Sequence, residues 1–317
     1  MNIVAIDGYT LNPGDLSWKD LETLGQLTHY DRTSADQIID RCKNAHIVLT
    51  NKVPFTSATL DALPQLKMIA VTATGYNIVD IAAARKKNIV VCNVPAYGTA
   101  SVAQHAFALL LELTNHVGRN ARSVTEGKWL RSEDWCYTEA PIMELEGKTI
   151  GIVGYGNIGQ RVGQIAQDFG MEVIYYSPMI KPWTPDVPAD LPTLFSTSDV
   201  VTLHCPLTPD NHAFVNKDLL RLMKPTAFLI NTARGQLIQE QDLADALNEG
   251  RLGGAALDVL SIEPPVAANP LLTAKNCIIT PHNAWISKEA RERIMQVTTS
   301  NVRAFLDRHP INVVTPA

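Results

Sequence analysis

Short apolar runs alternate with helical patterns along the whole chain, and this alternation constrains the fold more than any other feature of the sequence. The runs are apolar throughout rather than alternately apolar and polar, as expected for strands that are covered on both faces. Strands that alternate with helices form βαβ units around a parallel sheet. The candidate strands are residues 3–7, 46–50, 67–71, 89–93, 149–153, 172–176, 200–204, 227–231, 254–258 and 277–280. The sequence therefore predicts an α/β fold with parallel sheets.

Helical spacing of apolar residues fills the intervals between these strands. The pattern predicts one long helix at 99–125 and shorter helices at 35–43, 79–87, 157–169, 217–223, 239–248 and 288–306. Residues 127–145 have weak periodicity and contain two tryptophans, so we interpret them as an arm that packs into an aromatic core or contacts another copy. At roughly 150 residues per domain, 317 residues suggest two domains. The last helix is expected to pack back on the first domain.

Charge and cysteine content exclude several classes of protein. The net charge of −5 argues against a surface that coats nucleic acid and against a basic membrane-binding patch. Long apolar runs of about 18 residues, which a transmembrane helix requires, do not occur in the sequence. The five cysteines are widely spaced without a CxxC pair, as in reduced cysteines of a cytoplasmic protein. Histidine pairs with metal-ligand spacing do not occur either, so no metal is expected.

One glycine-rich motif, Gly154-Tyr-Gly156-Asn-Ile-Gly159, joins a candidate strand to a helical pattern. In that context a GxGxxG sequence indicates a dinucleotide-binding turn. Gly154 allows the tight turn, Gly156 lets the backbone approach a pyrophosphate, and Gly159 lets the helix pack on the strand. The pyrophosphate is expected at the helix N-terminus, where backbone N–H groups lack partners. We therefore predict that Gly154, Gly156, Asn157, Ile158 and Gly159 bind a dinucleotide cofactor.

The end of the next strand leaves the choice of cofactor open. An acidic residue is expected there to bind the ribose hydroxyls of NAD. Ser177 occupies that place, so no carboxylate repels the 2′-phosphate of NADP, but no arginine follows and Lys181 is the nearest cation. The sequence thus predicts a nicotinamide cofactor that is either NAD or NADP.

Three late segments each place a polar residue just beyond the carboxyl end of a candidate strand. Arg234 follows the strand at 227–231, Glu263 follows the next, and His282 follows the last. The carboxyl ends of strands in an open α/β sheet form the ligand crevice, so the three side chains can converge there. Reduction of a 2-oxo acid creates an alkoxide that needs a proton, which an imidazolium can supply. A guanidinium binds a planar carboxylate at two points, and a carboxylate beside the histidine favours its charged form.

These segments resemble the D-isomer-specific 2-hydroxyacid dehydrogenase family. Further matching segments are TATGYNIVD at 72–80, NVPAYGTASVAQH at 93–105 and DVVTLHCPLT at 199–208, so the resemblance covers nearly the whole chain. Trp135-Cys136-Tyr137 and Trp285 are most similar to the glycerate dehydrogenase/hydroxypyruvate reductase branch.

The resemblance implies a role for each matching residue. Arg234 would bind the substrate carboxylate and polarise the carbonyl, His282 would be the general acid/base, and Glu263 would hold the imidazole. Backbone N–H groups of Thr74, Gly75 and Tyr76 would receive the carboxylate, with Trp285 also in the substrate site. Asp258 would hold the nicotinamide amide. The remaining cofactor contacts would come from Ser177, His204, Cys205, Pro206, Thr208, Thr232 and Ala233.

The family's architecture gives the expected organisation of the whole chain. It implies two doubly wound, Rossmann-like domains with a cleft between them: a substrate domain at 1–98 plus 288–317 and a dinucleotide-binding domain at 99–287. The helix near residue 100 joins the dimer interface in this family, so a homodimer is expected. The implied activity is hydride transfer between a nicotinamide cofactor and a small D-2-hydroxy acid or 2-oxo acid, with D-glycerate/hydroxypyruvate or glyoxylate as candidate substrates.

Two alternatives remain open at this stage. The same fold serves nucleotide-sensing corepressors, which keep a similar site, although this chain has no added tails for partner binding. A phosphite dehydrogenase is the second alternative, as a narrow specialisation within the enzymes.

Overall fold

The computed structural model describes residues 1–179, 184 and 186–315, and the chain divides into two compact units. The first unit contains Met1–Gly98 and Trp285–Ala317, and the second contains Thr99–Ala284. The return to the first unit thus begins at Trp285, just ahead of the last helix. Lys181, the cation considered for cofactor choice, lies outside the described residues.

The strands agree closely with the apolar runs of the sequence. They are β1 (Asn2–Ala5), β2 (Gln26–His29), β3 (Ile47–Thr50), β4 (Met68–Val71), β5 (Val90–Cys92), β6 (Thr149–Val153), β7 (Glu172–Tyr176), β8 (Val187–Pro188), β9 (Val200–Leu203), β10 (Phe228–Asn231), β11 (Gly254–Leu257) and β12 (Cys277–Ile279). The short strands β2 and β8 were not expected. Both have a half-exposed or exposed burial pattern, so neither shows the apolar run of a strand covered on both faces.

The helices occupy the intervals between the strands. They are α1 (Lys19–Glu22), α2 (Ile38–Cys42), α3 (Ser57–Asp61), α4 (Ile81–Lys86), α5 (Thr99–Asn115), α6 (Val117–Thr125), α7 (Asn157–Asp168), α8 (Leu191–Thr197), α9 (Lys217–Leu220), α10 (Glu240–Asn248) and α11 (Lys288–Leu306). The single long helix expected at 99–125 is wrong, because His116 adopts a left-handed backbone (φ 51°) that ends α5 before α6 begins.

In the first unit, a five-stranded sheet has the order β2-β1-β3-β4-β5. All neighbouring strands are parallel. Helix α11 packs against β4, and Arg291 on α11 binds the carboxylate of Asp15 through two nitrogens at 2.6 and 2.7 Å. That contact fixes the loop after β1 to the last helix.

In the second unit, a seven-stranded parallel sheet has the order β12-β11-β10-β9-β6-β7-β8. The order reverses direction beside β6, because β7 follows on one side and β9 on the other. Ligands of open α/β sheets bind at such a switch point, outside the carboxyl ends of the strands. The predicted α/β fold with parallel sheets is therefore confirmed. Within the described residues, every helix is too short or too polar to span a membrane.

Candidate active site

The glycine-rich turn after β6 has the geometry of a dinucleotide-binding turn. Gly154 has a φ of 96°, and a Cβ there would lie 2.4 Å from the backbone nitrogen of Cys205, so only glycine fits. A Cβ at Gly159 would lie 2.2 Å from the carbonyl oxygen of Gly154, so α7 packs directly on the turn. At Gly156, by contrast, a Cβ would meet nothing within 4 Å, which leaves the backbone open to a ligand.

The N-terminus of α7 follows this open position. The N–H of Gln160 donates to the carbonyl of Gly156 at 2.9 Å in the first turn of the helix. The preceding N–H groups, those of Asn157, Ile158 and Gly159, have no acceptor four residues earlier within the helix. Such groups bind phosphate oxygens, so this end of α7 fits the pyrophosphate of a nicotinamide dinucleotide.

Ser177 follows β7 at the place where the ribose-binding acid was expected. Its side chain is half-buried, and its hydroxyl accepts a weak hydrogen bond from the N–H of Met179 at 3.4 Å. A small neutral hydroxyl therefore stands at the end of β7.

The segment after β9 contributes His204, a half-buried and uncharged histidine. His204 Nε2 lies 2.9 Å from the hydroxyl of Thr202, and its Nδ1 lies 3.4 Å from the hydroxyl of Thr232. Burial lowers the pKa of His204 to about 3 and raises the pKa of the neighbouring Cys205 thiol to about 11. The imidazole thus connects the ends of β9 and β10 as an uncharged group.

Pro206 and Thr208 lie on the exposed surface of the same segment. Pro206 accepts a hydrogen bond from the side chain of Asn211 at 2.8 Å, and the N–H of Thr208 donates to Asn211 Oδ1 at 2.7 Å. These bonds fix the shape of the turn beyond β9.

The loop after β10 carries Arg234. The side chain of Asn231 braces this loop, since its Oδ1 accepts from the N–H of Ala233 at 2.9 Å and its Nδ2 donates to the carbonyl of Arg234. The Arg234 guanidinium donates to the carbonyl of Ala233 at 2.7 Å. A Cβ at Gly235 would lie 1.9 Å from the carbonyl carbon of Leu260, so this loop lies directly against the one after β11.

Glu263 and His282 are in direct contact at the ends of β11 and β12. His282 Nδ1 lies 2.6 Å from Glu263 Oε2, while Glu263 Oε1 accepts from the N–H of Leu260 at 3.1 Å. An ionised carboxylate only accepts hydrogen bonds, so Nδ1 carries a hydrogen and Nε2 is the ring nitrogen left to exchange a proton. Both side chains are partly exposed, at 26% and 32%.

Asp258 lies beneath the turn that carries His282. Its residue is 1% exposed, and its carboxylate accepts hydrogen bonds from Thr280 at 2.7 Å and from the N–H groups of Asn283 and Ala284 at 2.9 Å. Burial by itself raises the pKa of Asp258, but hydrogen bonds from His105, Thr280 and the two backbone amides hold it below its ordinary value.

The expected substrate-binding residues other than Arg234 belong to the first unit. Thr74 donates its hydroxyl to the carbonyl of Val94 at 2.8 Å, which braces the loop after β4 that continues through Gly75 and the exposed Tyr76. Trp285 packs edge-on against Tyr97 with ring centroids 6.2 Å apart.

Two residues with a structural part in these loops were missed by the sequence reasoning. Asp7 accepts hydrogen bonds from the N–H groups of Asn51, Lys52 and Val53 and so shapes the loop after β3. His105 on α5 contacts Thr280 and Asp258. The available signal for His105 was a histidine among the apolar residues Val102, Ala103 and Ala106 of a buried helix.

Comparisons with known proteins show the family to which the chain is similar. Residues 107–284 match the family model described as D-isomer specific 2-hydroxyacid dehydrogenase, NAD binding domain. A hydroxypyruvate reductase of Blautia hydrogenotrophica is 49% identical, over 99% of each chain. A glycerate dehydrogenase of Methylorubrum extorquens is 41% identical, over 91% of this chain and 92% of its own length. Among solved structures, an acyclic imino acid reductase in complex with NADPH and D-Arg has a TM-score of 0.88 and 31% identity, covering 99% of this chain and all of that one.

The chain therefore belongs to the D-isomer specific 2-hydroxyacid dehydrogenase family. It is an oxidoreductase that transfers a hydride between a nicotinamide cofactor and a small 2-hydroxy acid or the corresponding 2-oxo acid. The resemblance stated from the sequence is confirmed, and these relatives do not favour a corepressor or a phosphite dehydrogenase.

Proposed function

We propose that the chain is a hydroxypyruvate reductase, interconverting hydroxypyruvate and D-glycerate, with glyoxylate as a second substrate. The observation that carries the chemistry is the 2.6 Å contact between His282 and Glu263 at the carboxyl edge of a parallel sheet that also presents the glycine-rich turn. The choice of substrate is supported by the 49% identity to a relative named hydroxypyruvate reductase.

In this proposal His282 is the general acid of reduction and the general base of oxidation. Glu263 accepts the Nδ1 hydrogen and stabilises the imidazolium, so that Nε2 delivers a proton to the alkoxide oxygen formed on the substrate. The bound nicotinamide supplies the two electrons of the reaction. Arg234 pairs with the substrate carboxylate and polarises the carbonyl, while backbone N–H groups of Thr74, Gly75 and Tyr76 receive the same carboxylate, with Trp285 beside it.

The proposed cofactor site uses the second unit. The backbone of Gly154, Gly156, Asn157, Ile158 and Gly159 would hold the pyrophosphate of the cofactor, because the N-terminus of α7 is open at Gly156. The other cofactor contacts that we propose are Ser177, His204, Cys205, Pro206, Thr208, Thr232, Ala233 and Asp258. Because Ser177 offers neither a carboxylate to repel a phosphate nor a cation to bind one, we infer that the enzyme uses NADPH as well as NADH.

The remaining proposals concern organisation. The first unit, Met1–Gly98 plus Trp285–Ala317, is the proposed substrate domain, and the second, Thr99–Ala284, is the proposed dinucleotide-binding domain, so the boundary lies three residues before the expected one at 287/288. We propose a homodimer through α6 and the arm that follows it, because Leu130 and Trp135 are 92% and 85% exposed there. A cytoplasmic location is supported by five free cysteines.

The experiment is a spectrophotometric panel with purified protein. Hydroxypyruvate, glyoxylate, pyruvate and phenylpyruvate are each paired with NADH and with NADPH, and kcat/KM is determined for every pair. Hydroxypyruvate is expected to give the highest value, with glyoxylate next. A higher kcat/KM for phenylpyruvate would contradict the proposed substrate class, and turnover of none of the four would contradict the proposed function.

A further inference from the structure

Helix α5 meets the His282 turn with two polar side chains on one face. Ser101 and His105 are four residues apart, so they lie on the same side of the helix. The Ser101 hydroxyl donates to the carbonyl of Ala284 at 2.6 Å, and His105 Nε2 lies 3.1 Å from the hydroxyl oxygen of Thr280. The buried residues beside them on α5 are apolar, Val102, Ala103 and Ala106, so a histidine here requires a specific partner.

The hydrogen bonds between His105, Thr280 and Asp258 have only one consistent direction. The Thr280 hydroxyl lies 2.7 Å from Asp258 Oδ1, and an ionised carboxylate can only accept, so the hydroxyl hydrogen points to Asp258. The Thr280 oxygen must then accept the bond from His105, which places a hydrogen on His105 Nε2. The same Nε2 lies 3.5 Å from Asp258 Oδ1. His105 is therefore the first donor in a series of two hydrogen bonds that ends on the Asp258 carboxylate.

That carboxylate holds the backbone of the turn that carries His282. Its Oδ1 accepts from the N–H of Asn283 and its Oδ2 from the N–H of Ala284, both at 2.9 Å. His282 itself has a φ of 51°, in the left-handed region that residues other than glycine rarely adopt. The conformation in which His282 meets Glu263 thus depends on contacts outside the turn, since the residue's own backbone preference opposes it.

We propose that His105 is a positioning residue for His282. By donating to Thr280 it orients the Asp258 carboxylate, which in turn fixes the left-handed turn and keeps the imidazole against Glu263. This inference rests on the proposed function, because it takes His282 as the acid/base. It assigns α5 a part in the reaction without any contact between His105 and the substrate.

The test compares three variants of the full-length protein. His105→Leu removes the N–H donor, His105→Gln keeps a donor on a side chain of similar reach, and Gln104→Leu changes the exposed neighbouring residue as a control. A small misplacement of a catalytic group costs about a hundredfold in rate. We expect His105→Leu to lower kcat for hydroxypyruvate by about 10- to 100-fold. The KM values for hydroxypyruvate and for the nicotinamide cofactor should stay within about twofold of wild type, because His105 contacts neither molecule. His105→Gln should restore most of the lost kcat. Equal kcat in the Leu variant and wild type, or equal loss in the Gln and Leu variants, would overturn the proposal.

A second measurement does not depend on activity. Hydrogen–deuterium exchange of the backbone N–H groups of Thr280, His282, Asn283 and Ala284, measured on each variant, should be faster in His105→Leu than in wild type or Gln104→Leu. Thr280→Val, which keeps the shape of the side chain, should make the same N–H groups exchange faster. The double variant should exchange no faster than either single variant, because both substitutions break the same series of hydrogen bonds from His105 to Asp258. Additive effects would contradict the relay through Thr280. If wild type turns over no 2-oxo acid, the proposed function fails, whereas the exchange data still decide whether His105 fixes the turn.

Discussion

Replacing His204 with glutamine should make the stability of the protein less sensitive to acid. His204 connects the hydroxyls of Thr202 and Thr232, and burial lowers its pKa to about 3. In the unfolded chain the imidazole has its ordinary pKa of about 6.5. Between these two values the unfolded state binds a proton that the folded state does not.

The direction and size of the effect follow from that difference. Stability rises with pH wherever the unfolded state binds more protons, so it must fall as the pH drops below about 6.5. From pH 7 to pH 5 the contribution of His204 to the free energy of unfolding falls by about 2 kcal/mol. Each pH unit well below the pKa of the unfolded chain costs about 1.4 kcal/mol. Glutamine does not titrate and can still hydrogen-bond to Thr202, so the His204→Gln variant should lack this loss.

The assay is urea denaturation at pH 7 and at pH 5, followed by tryptophan fluorescence. Wild type should lose about 2 kcal/mol more than His204→Gln between the two conditions. His309→Gln serves as the matched control, because its side chain is exposed, and it should behave like wild type. If wild type and His204→Gln lose the same stability, the imidazole is not held neutral by burial and the reasoning is wrong.

Three further predictions concern substrate, cofactor and packing. Arg234→Lys should raise KM for hydroxypyruvate at least about tenfold in steady-state assays, because a point charge replaces a planar two-point donor; unchanged kinetics would remove Arg234 from the site. Ser177→Asp should lower kcat/KM with NADPH and spare that with NADH, since a carboxylate repels the 2′-phosphate; a wild-type enzyme that rejects NADPH outright would refute the inference from Ser177. Gly235→Ala should cost about 2 kcal/mol or more in urea denaturation, because its Cβ would lie 1.9 Å from Leu260. Gly156→Ala, where nothing lies within 4 Å, should keep that stability and raise the Kd for NADH in fluorescence titration; the opposite pattern would contradict the assigned roles of the two glycines.

The sequence predicts the dinucleotide turn well because local chemistry determines it. The bounds of β6 and β7 agree with the apolar runs at 149–153 and 172–176. A Cβ would clash with the backbone at Gly154 and Gly159, whereas the backbone at Gly156 is open to a ligand. The bounds of helix α11 also agree with the helix predicted at 288–306. Its N-terminus is capped by the side chain of Ser287, which accepts a hydrogen bond from the N–H of Ala290. Strand β6, which is buried at every residue but its first, shows the clearest apolar pattern of these elements.

Features that depend on tertiary contacts could not be read in the same way. Strand β2 is an edge strand with polar residues, so it lacks the apolar run that identifies a buried strand. The break between α5 and α6 at His116 interrupts a pattern that continues through it in sequence. The carboxylate of Asp258 accepts hydrogen bonds from residues 22–26 positions further along the chain, which place it beneath the His282 turn. No sequence pattern reports such contacts.

The most direct test of the proton donor is the dependence of kcat/KM on pH for wild type and Glu263→Gln, measured for hydroxypyruvate reduction. Glutamine keeps a hydrogen-bonding group beside His282 Nδ1 but removes the charge that stabilises the imidazolium. Reduction requires the protonated histidine, so the wild-type rate should fall as the pH rises, and oxidation of D-glycerate should rise over the same range. In Glu263→Gln the reductive kcat/KM should be lower than in wild type, because the charge that stabilises the proton-donating imidazolium is gone. Superimposable reductive profiles for the two enzymes would show that Glu263 is not coupled to the proton donor, and the assignment of His282 and Glu263 would be contradicted.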